Sequence, residues 1–121
     1  MPRHALIAVD LDAVAANAAT MVELADGAEL CAVVKADGYG HGSVDVATAA
    51  LAGGATWLAV ALVEEGRVLR DAGIDVPILV LSEPPSDAMA EALEAGLTPT
   101  LYTGAGVASA GAAVRAHPGA A

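Results

Sequence analysis

Leu51-Ala52-Gly53-Gly54, followed closely by Trp57-Leu58-Ala59-Val60-Ala61-Leu62-Val63, is the stretch on which the reading of this chain turns. A glycine after an alanine- and leucine-rich segment marks a helix end, because glycine enters the left-handed conformation of a C-terminal cap without a Cβ clash. The unbroken apolar run that follows marks a strand covered on both faces. The same grammar recurs twice. Leu69-Arg70-Asp71-Ala72-Gly73 precedes Ile78-Leu79-Val80-Leu81, and Leu93-Glu94-Ala95-Gly96 precedes Leu97-Thr98-Pro99-Thr100-Leu101-Tyr102. A period of roughly 20–25 residues is a βα unit, which implies a parallel sheet with helices outside it.

Working outward, Leu30-Cys31-Ala32-Val33-Val34 adds a strand before these, and a helix is expected from about Ser43 to Leu51. The N-terminal part reads as a strand at Ala5–Val9 and a helix at about Leu11–Ala25. The four later strands fall at roughly 30–35, 57–62, 78–81 and 98–102. A last helix is expected from about Ala105 to Ala116, stopped by His117-Pro118-Gly119. Asp10 or Asp12 suits the cap of the first helix, and Ser86 or Asp87 the cap of one beginning near Met89. Asp10-x-Asp12 reads as a cap in preference to a metal site, since no third ligand stands near it in sequence. Glu64-Glu65 reads as a helix first turn, where negative charge suits the dipole. No linker divides the chain, so residues 1–121 form one unit.

The composition narrows the function classes. The chain has 121 residues, 56% hydrophobic and 17% charged, with a formal charge of −10. Such a chain packs as a globular domain, and its acidity excludes nucleic acid and anionic membrane as partners. Val46–Val63 and Ala95–Val114 lack the continuous lipophilic character of a spanning helix, being broken by glycine, threonine or proline. Cys31 is the sole cysteine, so no internal disulfide forms; with no signal peptide in view, a cytoplasmic location is expected.

The chemistry concentrates in Ala32-Val33-Val34-Lys35-Ala36-Asp37-Gly38-Tyr39-Gly40-His41-Gly42. Lys35 follows directly on an apolar strand, and the carboxyl ends of strands form the ligand face of parallel α/β folds. A lysine rooted among apolar neighbours loses hydration, which favours the neutral amine needed for Schiff-base chemistry. Gly38, Gly40 and Gly42 permit a tight turn and close backbone approach to a ligand, and a plain strand-to-helix connection would use them equally well. The spacing matches neither a phosphate loop nor a dinucleotide fingerprint. Tyr39 is either a surface tyrosine or a contact to a cofactor phosphate. For His41 a structural hydrogen-bonding role is preferred to a catalytic one.

Val33-Val34-Lys35-Ala36-Asp37-Gly38-Tyr39-Gly40-His41-Gly42 resembles the pyridoxal-phosphate attachment motif of alanine racemases. Val9-Asp10-Leu11-Asp12 with Asn17, Leu58-Ala59-Val60-Ala61 with Glu64-Glu65, and Pro77-Ile78-Leu79-Val80-Leu81 extend the resemblance over most of the chain. The resemblance implies an α/β fold, the N-terminal portion of a (β/α)₈ TIM-type barrel. It assigns Lys35 as the catalytic and cofactor-attaching residue for pyridoxal 5'-phosphate and Tyr39 as a contact to the cofactor phosphate. It implies interconversion of L- and D-alanine, supplying D-alanine for peptidoglycan, with full-length members acting as homodimers. A complete barrel takes eight strands and about 250 residues, and about four strands are present here. The remainder of the barrel and the C-terminal β domain are therefore expected to be absent, and the chain to resemble the first third of a racemase. The second catalytic base and the partner of the pyridine nitrogen lie later in the family. A non-catalytic pyridoxal-phosphate-binding barrel, a cofactor-free barrel aldolase and an inert remnant are the alternatives.

Overall fold

A computed structural model describes residues 4–119. In chain order the elements are α1 (Leu11–Leu24), β1 (Cys31–Val33), α2 (Lys35–Tyr39), α3 (Ser43–Ala52), β2 (Trp57–Val60), α4 (Val63–Asp71), β3 (Ile78–Val80), α5 (Met89–Glu94), β4 (Thr98–Pro99) and α6 (Gly104–Ala116). The four strands form one sheet in the order β1-β2-β3-β4, and every neighbouring pair is parallel. The sheet is four strands wide, parallel throughout and not closed, as the first half of a (β/α)₈ barrel would be.

The repeated glycine stop forms as expected. After α3, α4 and α5 the chain makes the same pair of reverse bonds: Gly54, Gly73 and Gly96 N–H donate to Leu51, Arg70 and Leu93 O, and Ala55, Ile74 and Leu97 N–H to Ala50, Leu69 and Ala92 O. The intervening Gly54, Gly73 and Gly96 hold φ of +114°, +88° and +65°. That geometry terminates a helix while satisfying its last carbonyls. It delivers each chain segment to the amino end of the next strand.

The core lies between the sheet and the helices. Leu58, Val60, Ile78 and Val80 pack from the strands onto Val63 and Leu69 of α4 and Ala92 of α5. On α4 the buried positions Val63, Gly66 and Leu69 recur every three residues, which keeps one helix face inward. Each fully buried leucine or isoleucine contributes about 1.5–3 kcal/mol.

Several expectations need correction. The strands are not all covered on both faces: Leu58, Ala59 and Val60 of β2 are buried in succession, as expected, whereas β1 is open on one face. Residues alternate across a strand, so Val33, Ala59 and Leu79, which stand in register, share that face with Cys31 and Trp57. There Cys31 and Val33 are exposed, Trp57 and Leu79 half-buried and the small Ala59 between them buried. Ala5–Val9 is not a strand: it has no ladder partner among the described residues, and Leu6 and Ile7 are 90% and 91% exposed. An apolar run without a neighbouring strand cannot pair its backbone as a sheet. Neither Ser86 nor Asp87 caps α5; Ala88 holds the cap position with no side-chain bond. The strand at 98–102 shortens to Thr98–Pro99, since Pro99 has no amide for the ladder and the Thr100 hydroxyl donates to the Val80 carbonyl instead (2.7 Å). Asp10 caps α1 as expected, accepting from the Ala13 amide at 3.1 Å. No helix among the described residues is long and apolar enough to cross a membrane.

Candidate active site

β1 ends at Val33, and Lys35 opens α2 at the carboxyl end of the sheet. Val34 is buried, Lys35 half-buried and Tyr39 exposed. The full desolvation expected of Lys35 is therefore not supplied by this chain alone, because the face of the sheet beside it is open.

The turn that follows Lys35 is left-handed throughout. Ala36, Asp37, Gly38 and Tyr39 have φ of +52°, +55°, +64° and +56°, and Gly40 continues at +82°. Gly38 N–H donates to Val34 O (2.9 Å) and Gly40 N–H to Ala36 O (3.0 Å), so α2 is one turn of left-handed helix. Glycine takes this conformation freely, whereas each L-residue with a Cβ loses roughly 1–2 kcal/mol there. Ala36, Asp37 and Tyr39 bear that strain, and such strain persists only where the surroundings over-determine it.

Those surroundings are specific. The Asp37 carboxylate accepts from the Ser43 amide at 2.9 Å, which satisfies an orphan donor at the start of α3 and ties the turn to that helix. His41 Nδ1 lies 2.9 Å from Tyr39 O and 3.2 Å from Gly38 O. Two carbonyl acceptors require the proton on Nδ1, so His41 closes the far end of the turn in the structural role preferred for it. Glu65, in the first turn of α4, accepts from the Ala61 and Leu62 amides on Oε1 (2.9 and 2.8 Å) and from the Ala36 amide on Oε2 (2.6 Å). Sequence reasoning placed Glu65 correctly at a helix start and missed this third bond. Its partner is 29 residues away, and no periodicity reports such a contact.

The remaining strand ends are joined by similar means. The Ser82 hydroxyl after β3 donates to Ala61 O after β2. Glu83 accepts from the Tyr102 and Thr103 amides (2.6 and 2.9 Å) and from the Thr103 hydroxyl (2.6 Å). These bonds hold the Glu83 carboxyl below the usual carboxylate range, the Thr103 hydroxyl contributing most, then the Tyr102 amide. The polar face is thus a row of strand ends fastened sideways, with one amine, Lys35, standing among them.

This arrangement fits part of a pyridoxal phosphate site. Lys35 is the only lysine of the chain, rooted in a rigid turn on the ligand face, and Tyr39 carries a phenol on the same turn. An amine there could hold the aldehyde end of the group, and a phenol could donate to a phosphate oxygen. Among the other cations of the described residues, Arg67 pairs with Glu91 (3.5 Å) and Arg70 lies at the opposite end of the sheet.

Residues 9–120 match the family described as "Alanine racemase, N-terminal domain". The chain is 55% identical over 89 residues to an alanine racemase of Thermobifida fusca, covering 74% of this chain and 24% of that protein. It is 45% identical over 107 residues to one of Frankia casuarinae, covering 88% and 28%. The chain thus spans about a quarter of the length of these curated relatives. The crystal structure of alanine racemase from Streptomyces lavendulae superposes with a TM-score of 0.84 at 37% identity, over 91% of this chain and 29% of that one. A histidine racemase from Leuconostoc mesenteroides superposes with a TM-score of 0.77 at 26% identity, over 89% and 29%. The chain belongs to the alanine racemase family, matching its N-terminal domain.

Proposed function

We propose that this chain is the cofactor-attaching part of a pyridoxal-phosphate-dependent alanine racemase, with Lys35 holding the cofactor and Tyr39 donating to its phosphate. The observation that carries the reading is the placement of the sole lysine at the carboxyl end of β1, on a strained turn that its neighbours keep in one conformation. When bound, pyridoxal phosphate supplies an electron-accepting ring that stabilises negative charge at the amino acid Cα. Lys35 Nζ would hold the group at its aldehyde end, and the same amine would serve as the proton carrier on one face of Cα. Racemisation needs a second proton carrier on the other face. By family resemblance that carrier lies in a part of the longer relatives to which this chain does not extend. The 121-residue chain alone is accordingly expected not to racemise alanine, and to act, in a cytoplasmic setting, as part of a homodimer when joined to the rest. Alanine as substrate rests on the relatives' names. The likeness to a histidine racemase means that this portion of the fold does not by itself select alanine.

The test is incubation with pyridoxal phosphate, borohydride reduction and peptide mapping. A single pyridoxyl group on Lys35 is the expected result. A label elsewhere, or none, overturns the assignment.

A further inference from the structure

We propose that Glu65 is a positioning residue for Lys35, fixing the lysine's root against β2 through the Ala36 amide. The inference rests on the cofactor-attaching role proposed for Lys35.

The backbone on either side of Lys35 is held by a different partner. Before it, Val34 N–H donates to Ala59 O of β2 at 2.9 Å, as part of the sheet. After it, the chain leaves the sheet and turns left-handed, so no ladder bond is available to the Ala36 amide. Glu65 Oε2 takes that amide at 2.6 Å while Oε1 takes Ala61 and Leu62, the two residues that continue β2. One carboxylate therefore spans the ends of two adjacent strands, and Lys35 sits between two clamps that both refer to β2.

The lysine side chain has four rotatable bonds, so the position of its amine depends on where its root is held. Within the turn the next amide-to-carbonyl bonds belong to Gly38 and Gly40 and leave Ala36 N–H without another acceptor. Ala36, Asp37 and Tyr39 all stand at positive φ, a conformation that relaxes if its anchor is lost. Relaxation would move both the Lys35 root and Tyr39, the two groups proposed to hold one ligand. Positioning errors of about 1 Å are enough to lower the rate of a reaction about a hundredfold.

Glu65→Gln is the informative variant. Glutamine keeps the size and one acceptor oxygen; if that oxygen serves Ala61 and Leu62, its NH₂ faces the Ala36 N–H, donor against donor. Glu83→Gln is the matched control, since Glu83 also accepts two backbone amides at the same end of the sheet but lies beyond β3, away from Lys35. Wild-type protein, E65Q and E83Q are compared at a temperature where circular dichroism shows all three folded. Two quantities are read: exchange of the Ala36 amide without cofactor, and pyridoxyl label on Lys35 against pyridoxal phosphate concentration. We expect E65Q to raise Ala36 exchange by about tenfold and to require about tenfold more pyridoxal phosphate for half-labelling. E83Q should match the wild type in both. Labelling of E65Q like the wild type, or equal losses in E65Q and E83Q, would overturn the positioning role and leave the Lys35 assignment standing. A wild-type protein that takes no label on Lys35 would overturn the assignment, and the positioning role with it.

Discussion

The two ends of the sheet are fastened by opposite chemistry. At the carboxyl end, the carboxylates of Glu65 and Glu83 accept from five backbone amides between them. At the amino end, Arg70 donates from Nε to Ala95 O (2.8 Å), from Nη1 to Ile74 O (2.8 Å) and Val76 O (2.7 Å), and from Nη2 to Gly96 O (3.0 Å). The reason lies in the direction of the helices. Each helix runs back against its strand, so helix N-termini with free N–H groups gather at the strands' carboxyl end and helix C-termini with free carbonyls at the other. Anions suit the first and a guanidinium the second. Glu65 and Arg70 are both on α4 and serve the two ends from one helix.

The comparison also separates function from support. The end held by carboxylates carries the left-handed turn and the lysine. The end held by Arg70 is mostly relaxed: the glycines at the helix stops take positive φ without a steric penalty, and Asp26 after α1 (φ +49°) is the one non-glycine residue of the described chain at positive φ there. Strain is concentrated where a ligand is proposed to bind, three non-glycine residues in one turn against the single Asp26 at the opposite end.

Substitutions can break this division. The largest effect is expected from Lys35→Ala, which should abolish pyridoxal phosphate attachment altogether, while shifting stability by no more than about 0.5 kcal/mol in a urea titration. A large stability loss would show that Lys35 supports the fold as well. Next comes Arg70→Met, expected to cost about 2–3 kcal/mol because four carbonyls lose a charged donor. Cofactor labelling of Lys35 should persist in the folded fraction. Arg70→Lys should rescue little, since an ammonium cannot reproduce the planar fork. Loss of labelling in folded Arg70→Met would join the two ends into one functional unit.

Tyr39→Phe sharpens the picture at the carboxyl end. Losing a hydrogen bond to a charged phosphate, about 1.5–3 kcal/mol, should weaken pyridoxal phosphate binding roughly 10–100-fold in an absorbance titration. Turnover of the assembled enzyme at saturating cofactor should fall less. Unchanged affinity with lost turnover would remove Tyr39 from the phosphate. The smallest effect concerns Glu83. Its folded pKa lies below the unfolded value, so its bonds stabilise the fold above the unfolded value and that contribution fades as pH falls through the folded one. Glu83→Gln should therefore flatten the acid limb of the stability curve slightly. An unaltered limb would mean that the bonds seen at Glu83 carry no net stability.

Legibility in the sequence followed the range of the interaction. The glycine stops were readable because the reverse bonds of Gly54, Gly73 and Gly96 lie within five residues of chain. Lys35 was readable because a lysine directly after an apolar strand needs no distant information to be placed at the strand's end. The hydrogen bonds of His41 were within reach of the sequence, since its partners are two and three residues away. Ala5–Val9 failed as a strand because its apolar pattern states a preference that only a neighbouring strand can satisfy.

The amino-acid sequence by itself determined the alternation of helix and strand, the parallel sheet and the position of the lysine, because hydrophobic period and glycine punctuation act over a few residues. Only the tertiary structure decided the left-handed sense of Ala36–Tyr39, the uncovered face at Cys31 and Val33, and the roles of Glu65 and Arg70. Glu65 reaches a partner 29 residues away, and Arg70 reaches two at 25 and 26 residues. A carboxylate or guanidinium accepts many partners equally well in a sequence, and the packing of helices on strands chooses among them.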